Sequence, residues 1–200
     1  MNKKLKVYLV MGTLLFGLLS GTIIVTNSLK KENNIPVNTI VNEEVTPVVL
    51  KKDIIEKPYK DENVYVISHY YDYKDTEERQ INSIIIYDNT YMQNTGIIYG
   101  NDNSFDIFAV ASGEVINVSD SELTGKIVEI RHTNDIISTY KFLSDVNVKI
   151  NDKVSAGEKI GTSGINNITD KAKNQLYFEF IIRGELVNGE NFYGKNIEEL

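Results

Sequence analysis

Metal and nucleophile chemistry draws on histidine, cysteine and clustered carboxylates, and this chain of 200 residues has no cysteine and two histidines. His69 stands in "VYVISHYY" beside Tyr70 and Tyr71, and His132 ends "GKIVEIRH". No Ser/His/Asp or Cys/His arrangement accompanies either, so nucleophilic catalysis lacks its parts. Both histidines read most simply as partly exposed strand residues. "NQLYFEF", Asn174 to Phe180, alternates like a half-buried strand. Leu176, Phe178 and Phe180 share one face, and Gln175, Tyr177 and Glu179 share the other. Zinc enzymes fill such an i, i+2 pair with two histidines; here the pair is Gln175 and Tyr177. Asp102 and Asp106 flank "NSF"; the spacing allows a carboxylate pair, and a loop acid beside a strand acid is the simpler reading. "GTSGINN" is a turn and not a phosphate loop, because no Gly-Lys-Ser/Thr follows.

The elements that would position these residues are short runs rich in β-branched and aromatic residues. "VYVISHYY", "INSIIIY", "FDIFAV", "GEVINV", "GKIVEIRH", "IISTYKFL", "KIGTSG" and "QLYFEFIIRG" follow one another with Gly, Asn and Asp between them. Their spacing of roughly 8–12 residues predicts an all-β domain. Only "DTEERQINSI" suggests a helical turn. Twelve tyrosines are present; those at Tyr70, Tyr71 and Tyr73, and at Tyr87 and Tyr91, are either strand residues or recognition surface.

Ahead of this domain, Val7 to Leu29 carries no charge, long enough to cross a bilayer as a helix. Lysines at 3, 4 and 6 precede it, which favours a cytoplasmic N-terminus. The run exceeds an ordinary signal-peptide core and no A-x-A-like site follows, so an uncleaved anchor is favoured over cleavage. All three prolines, Pro36, Pro47 and Pro58, fall in the next stretch, which reads as a linker. The expected organisation is a cytoplasmic tail over 1–6, a transmembrane helix over 7–29, a stalk over 30–62 and a single antiparallel β domain over 63–200. Net charge is −7, with the acidic surplus beyond Tyr59, which argues against nucleic acid as a partner.

Five segments occur in a fixed order: "NTGIIY", "FDIFAVASGEVINV", "GKIVEIRHTNDIISTYKFL", "VNVKINDKVSAGEKIGTSG" and "QLYFEFIIRGELVN". As an ordered set they resemble the M23 family, the LytM-type (lysostaphin-like) zinc endopeptidases that cut peptidoglycan. The family pattern runs H-x-G-x-D, V-x-I-x-H, Y-x-H-L, a glycine hairpin and H-x-H-F-E. The resemblance implies the fold, and it also locates the chemistry. The zinc-ligand histidine and aspartate fall on Asn94 and Ile98, the active-site histidine on Phe142, and the H-x-H pair on Gln175 and Tyr177. None is retained, so the resemblance implies a mainly β M23 domain with no catalytic residue, no metal and no cofactor. Glu179 matches the family's glutamate.

"YDNTYMQNTGI" and "FDIFAVASG" are similar to segments of the stage II sporulation protein Q family, some of whose members also lack the zinc residues. That narrower resemblance implies a single-pass protein of the forespore membrane, its outer domain facing the space between forespore and mother cell. It implies a stage III sporulation protein AH-type partner in the mother-cell membrane and a higher-order ring. A non-catalytic regulator of a cell-wall amidase is the alternative, and a peptidoglycan endopeptidase a more distant one. "SDSELTG" and "GINNITDKAKNQ" are loops long enough to touch a partner.

Overall fold

Alternation along the last long strand sets the architecture. In the computed structural model, which describes residues 52–169 and 171–200, β11 (Asn174–Ile182) lies inside a ten-stranded antiparallel sheet. The other strands are β1 (Tyr65–Ser68), β4 (Ile97–Asn101), β5 (Asp106–Phe108), β6 (Gly113–Ser121), β7 (Gly125–Arg131), β8 (Ile136–Val146), β9 (Lys153–Val154), β10 (Lys159–Ser163) and β12 (Glu185–Val187). Their main path is β1-β4-β11-β8-β7-β6-β9, with β10 on β5 and β8 and β12 on β11. The hairpin of β2 (Ile84–Tyr87) and β3 (Thr90–Gln93) forms a separate two-stranded sheet. The mainly β antiparallel expectation holds. The apolar run 7–29 and the part of the expected stalk up to residue 51 lie outside the described residues.

Leu176, Phe178 and Phe180 point into the main core, with Tyr140, Ile97, Ile130 and Val128. The opposite face of the same strand carries Tyr177 into a second, smaller cluster with Ile98 and Phe142. Thus one strand closes two apolar compartments, which is why every residue from Gln175 to Phe180 is buried.

The turn of the hairpin follows from its sequence. Asp88 and Asn89 hold φ of 43° and 60°, the left-handed pair that a two-residue turn of type I′ requires. The helical turn is present as α1 (Glu77–Asn82), its end capped by Thr76, whose hydroxyl accepts from the Arg79 N–H.

Residues before Asn63 belong to the packed unit, which shortens the stalk expected over 30–62. Ile55 is buried in the main core. Its N–H donates to the Lys195 carbonyl and that of Glu56 to the Val110 carbonyl. Two adjacent isoleucines, Ile54 and Ile55, in an otherwise polar, proline-bearing stretch give no periodic signal, so sequence alone hides this attachment.

Candidate functional site

Of the five positions that would carry zinc chemistry, Ile98, Phe142 and Tyr177 meet on three adjacent strands, Gln175 lies two residues before Tyr177 on β11, and Asn94 lies in the turn before β4. Tyr177 on β11 stands opposite Ile98 on β4 and opposite Lys141 on β8. Phe142 joins them through a β-bulge. Between the pairs Lys126–Leu143 and Val128–Tyr140 the register slips, leaving an extra residue on β8. Tyr140 and Leu143 point into the main core, so the residues between them, Lys141 and Phe142, both turn to the other face. Phe142 accordingly has φ of 70°, a conformation that costs a non-glycine residue roughly 1–2 kcal/mol. The bulge re-aims its ring across the sheet.

What occupies the site is a hydrophobic plug. Phe142 is fully buried and stacks on Tyr177, ring centroids 5.6 Å apart and planes 29° from parallel. Ile98 lies beneath, and Ile67, Ile85 and Ile168 close the cluster from outside. The two amides at the margin are turned to structural use. Asn94 Nδ2 is shared among the Ser68 and His69 carbonyls and the Ser68 hydroxyl at 2.9–3.3 Å, while its Oδ1 accepts from the Gly96 N–H at 3.1 Å. Gln175 Nε2 donates to the carbonyls of Thr169 and Ala172 at 3.0 and 2.9 Å. Gln175 Oε1 is buried without a hydrogen-bond partner among the described residues.

Zinc bound as in the M23 enzymes would need three nitrogen, sulfur or carboxylate donors around an open position. Ile98 and Phe142 carry no donor. Asn94 offers a neutral oxygen already engaged. Tyr177 is held as a phenol: burial, then the nearby Glu179 carboxylate, raise its pKa above the ordinary tyrosine value. Its hydroxyl donates to Thr95 Oγ1 (2.9 Å), which donates in turn to Glu179 Oε1 (2.8 Å). The other carboxylate oxygen of Glu179 meets Lys141 Nζ at 2.7 Å, and that ammonium lies 5.0 Å from the Tyr177 ring centroid. The residues therefore do not fit the family's zinc, and no hydrolytic step can be routed through it.

Gly96 keeps the strands close. A Cβ there would stand 2.4 Å from the Phe178 carbonyl oxygen and 2.7 Å from the Tyr177 ring, so no side chain fits between β4 and β11 at this point.

The remaining candidates are scattered. His132 is buried, with Nδ1 2.9 Å from the Ser112 carbonyl and Nε2 2.7 Å from Ser138 Oγ; it is a core residue and not the partly exposed strand residue expected. Burial lowers its pKa. His69 Nδ1 is 3.0 Å from Glu190 Oε2. Asp106 pairs with Lys159 at 2.7 Å and not with Asp102. The two long loops do meet, through Asn167 Nδ2 on the Glu122 carbonyl at 2.7 Å. Sequence reasoning missed Lys141 and Thr95, whose only signal is their place beside Phe142 and Asn94.

Comparison with known proteins agrees with this geometry. The model of peptidase family M23 matches residues 92–189. Stage II sporulation protein Q of Bacillus subtilis (strain 168) is 29% identical over 162 residues, 80% of this chain and 57% of the relative. The chain thus spans little more than half the length of that curated relative. A solved structure of the SpoIIQ–SpoIIIAH pore-forming complex contains a chain with 30% identity and a TM-score of 0.71, the match covering 74% of this chain and 96% of that one. A second structure of a SpoIIIAH and SpoIIQ complex gives 30% identity and a TM-score of 0.67, covering 69% and 99%. On the fold, the ordered motifs and a relative covered almost end to end, this chain belongs to peptidase family M23, as a stage II sporulation protein Q-like member.

Proposed function

We propose that this chain is a membrane-anchored, non-catalytic M23 domain that works as a protein-interaction module in endospore formation. It binds a stage III sporulation protein AH-type partner across the space between forespore and mother cell, and a higher-order ring is its expected assembly. The uncharged run 7–29 supplies the anchor in the forespore membrane. The observation that carries the reading is the filled site: Ile98, Phe142 and Tyr177 pack together where a hydrolase needs donors and an open coordination position. Similarity to a chain solved within the SpoIIQ–SpoIIIAH complex supports the identity of the partner. The sheet format suits the role, because strand edges offer rows of backbone donors and acceptors to a second protein.

Two measurements on the full chain in detergent test it. Metal analysis after dialysis against zinc is expected to give no stoichiometric zinc, and muropeptide incubation no metal-dependent cleavage. Titration with the partner's outer domain is expected to show saturable binding. Stoichiometric zinc with cleavage refutes the non-catalytic reading, and absence of binding at micromolar concentration refutes the partner.

A further inference from the structure

Exposed large hydrophobic side chains concentrate in one region. Tyr73, Ile81, Ile86, Tyr87, Tyr91 and Met92 all lie on α1, the hairpin β2–β3 or the loop before them. Ile86 and Tyr91 stand opposite each other in the hairpin register, 59% and 74% exposed, so they form one apolar patch. Neither edge of the hairpin pairs with a further strand among the described residues. Its sequence, "IIIYDNTYMQ", contains no lysine, arginine or proline, the residues by which proteins protect open edges.

Beside the hairpin is a cavity of about 150 Å³, walled by Ile67, Ser68, Ile84, Ile85, Ile86, Ile98, Ile168, Thr169 and Lys171. Consecutive residues of a strand point to opposite faces. Three consecutive residues of β2 and two of β1 line this cavity, so strand edges look into it as well as side chains. Six isoleucines share its walls with Ser68, Thr169 and Lys171 and the cavity is partly open, so it suits an aliphatic side chain carried on a polar backbone. It opens from the Ile98 side of the plug that replaces the metal site.

Charge narrows the occupant. Around the patch, Arg79 is taken up by Asp75 and Glu190. Glu77, Glu78 and Asp88 make no ion pair among the described residues, and Glu77 and Glu78 sit in the first turn of α1. Lys74 lies over the Tyr73 ring, and the acidic residues of α1 and the hairpin turn outnumber it beside the patch, while Lys171 is among the residues lining the cavity.

We infer that the β2–β3 hairpin and the adjoining isoleucine cavity are the docking surface for the protein partner. The occupant is an extended segment of that partner, adding to an open edge of the hairpin, with one aliphatic side chain in the cavity and basic residues over α1. The inference rests on the binding role proposed above. It places that role at the hairpin, away from the β6–β9 end of the sheet.

The test is titration of the full chain in detergent with the partner's outer domain, for the native sequence and for Ile86→Asp, Tyr91→Ala, Ile168→Phe and Glu77→Lys/Glu78→Lys. Lys153→Glu on β9 serves as the distant control, and far-UV circular dichroism establishes that each variant is folded. Ile86→Asp and Ile168→Phe are expected to weaken binding about tenfold or more, as loss of a central apolar anchor does. The double charge reversal is expected to weaken it and to flatten its salt dependence. Native binding with Ile86→Asp and Tyr91→Ala both within about twofold of it overturns this inference and leaves the binding role standing. Failure of the native chain to bind overturns both. Self-association abolished by Ile86→Asp, with partner binding unchanged, assigns the surface to a second copy of this chain and also overturns the inference.

Discussion

Truncating Phe142 to alanine probes the plug most directly. Its ring is fully buried and stacked on Tyr177, and deleting a buried phenylalanine side chain costs about 3–5 kcal/mol. The cluster is small and borders a cavity, so its neighbours can relax inward, which places the loss near the lower bound, at about 3 kcal/mol. Such a loss is a large share of the roughly 5–15 kcal/mol that holds an ordinary domain. The backbone supplies an internal control. At φ of 70° alanine keeps the left-handed strain of roughly 1–2 kcal/mol, which glycine escapes. Glycine in turn loses about 0.5–1 kcal/mol more chain entropy on folding. Phe142→Gly is therefore expected to be as stable as Phe142→Ala or slightly more so, the reverse of the usual order in a strand. Urea titration followed by far-UV circular dichroism measures both. A loss below about 1 kcal/mol for Phe142→Ala, or Phe142→Gly clearly less stable than Phe142→Ala, refutes the account of the bulge.

Further consequences can be measured on the same protein. Lys141→Met is expected to cost about 2 kcal/mol, less than for a fully buried pair, because Lys141 keeps some exposure and Glu179 retains the Thr95 hydroxyl; Lys141→Met/Glu179→Gln should cost less than the sum of the singles, and additivity in denaturant melts would sink the pairing. His132 has a lowered folded pKa against an ordinary value of 6.5, so the folded state binds fewer protons than the unfolded chain there. Its contribution is full above pH 6.5 and is lost as pH falls toward the lowered value; His132→Asn should reduce the slope of melting temperature between pH 5 and 7, and an unchanged slope would refute it. Ile55→Ala is expected to lower stability by about 2–4 kcal/mol, and a chain starting at Tyr59 should melt below one starting at Lys52; equal melting temperatures would detach this segment from the core.

The sequence made some layers of this molecule readable and not others. Strand identity and the two faces of β11 were legible because alternation is local: Leu176 and Phe178 enter the main core and Tyr177 the other compartment, as the pattern requires. The meeting of Ile98, Phe142 and Tyr177, with Asn94 and Gln175 at its margin, was legible only through the ordered family motifs, since these residues come from three strands and the turn before β4. The bulge at Phe142 was not, because a left-handed phenylalanine is chosen by the packing around it and not by its own propensity. Nor was the burial of His132, whose two hydrogen bonds come from Ser112 and Ser138, one of them twenty residues away.

Gly96 shows what kind of object the motif around it is. Its letters fall into two independent sets, one written for the backbone and one for the metal. The space it leaves open is filled by the Phe178 carbonyl and the edge of Tyr177, and that demand is the same whether the neighbouring ring is a histidine or a phenol. A motif built this way can be emptied of its chemistry letter by letter while the sheet that displayed it stays intact. What the groove holds can then change from a metal to a buried pair of stacked rings, with the frame left alone.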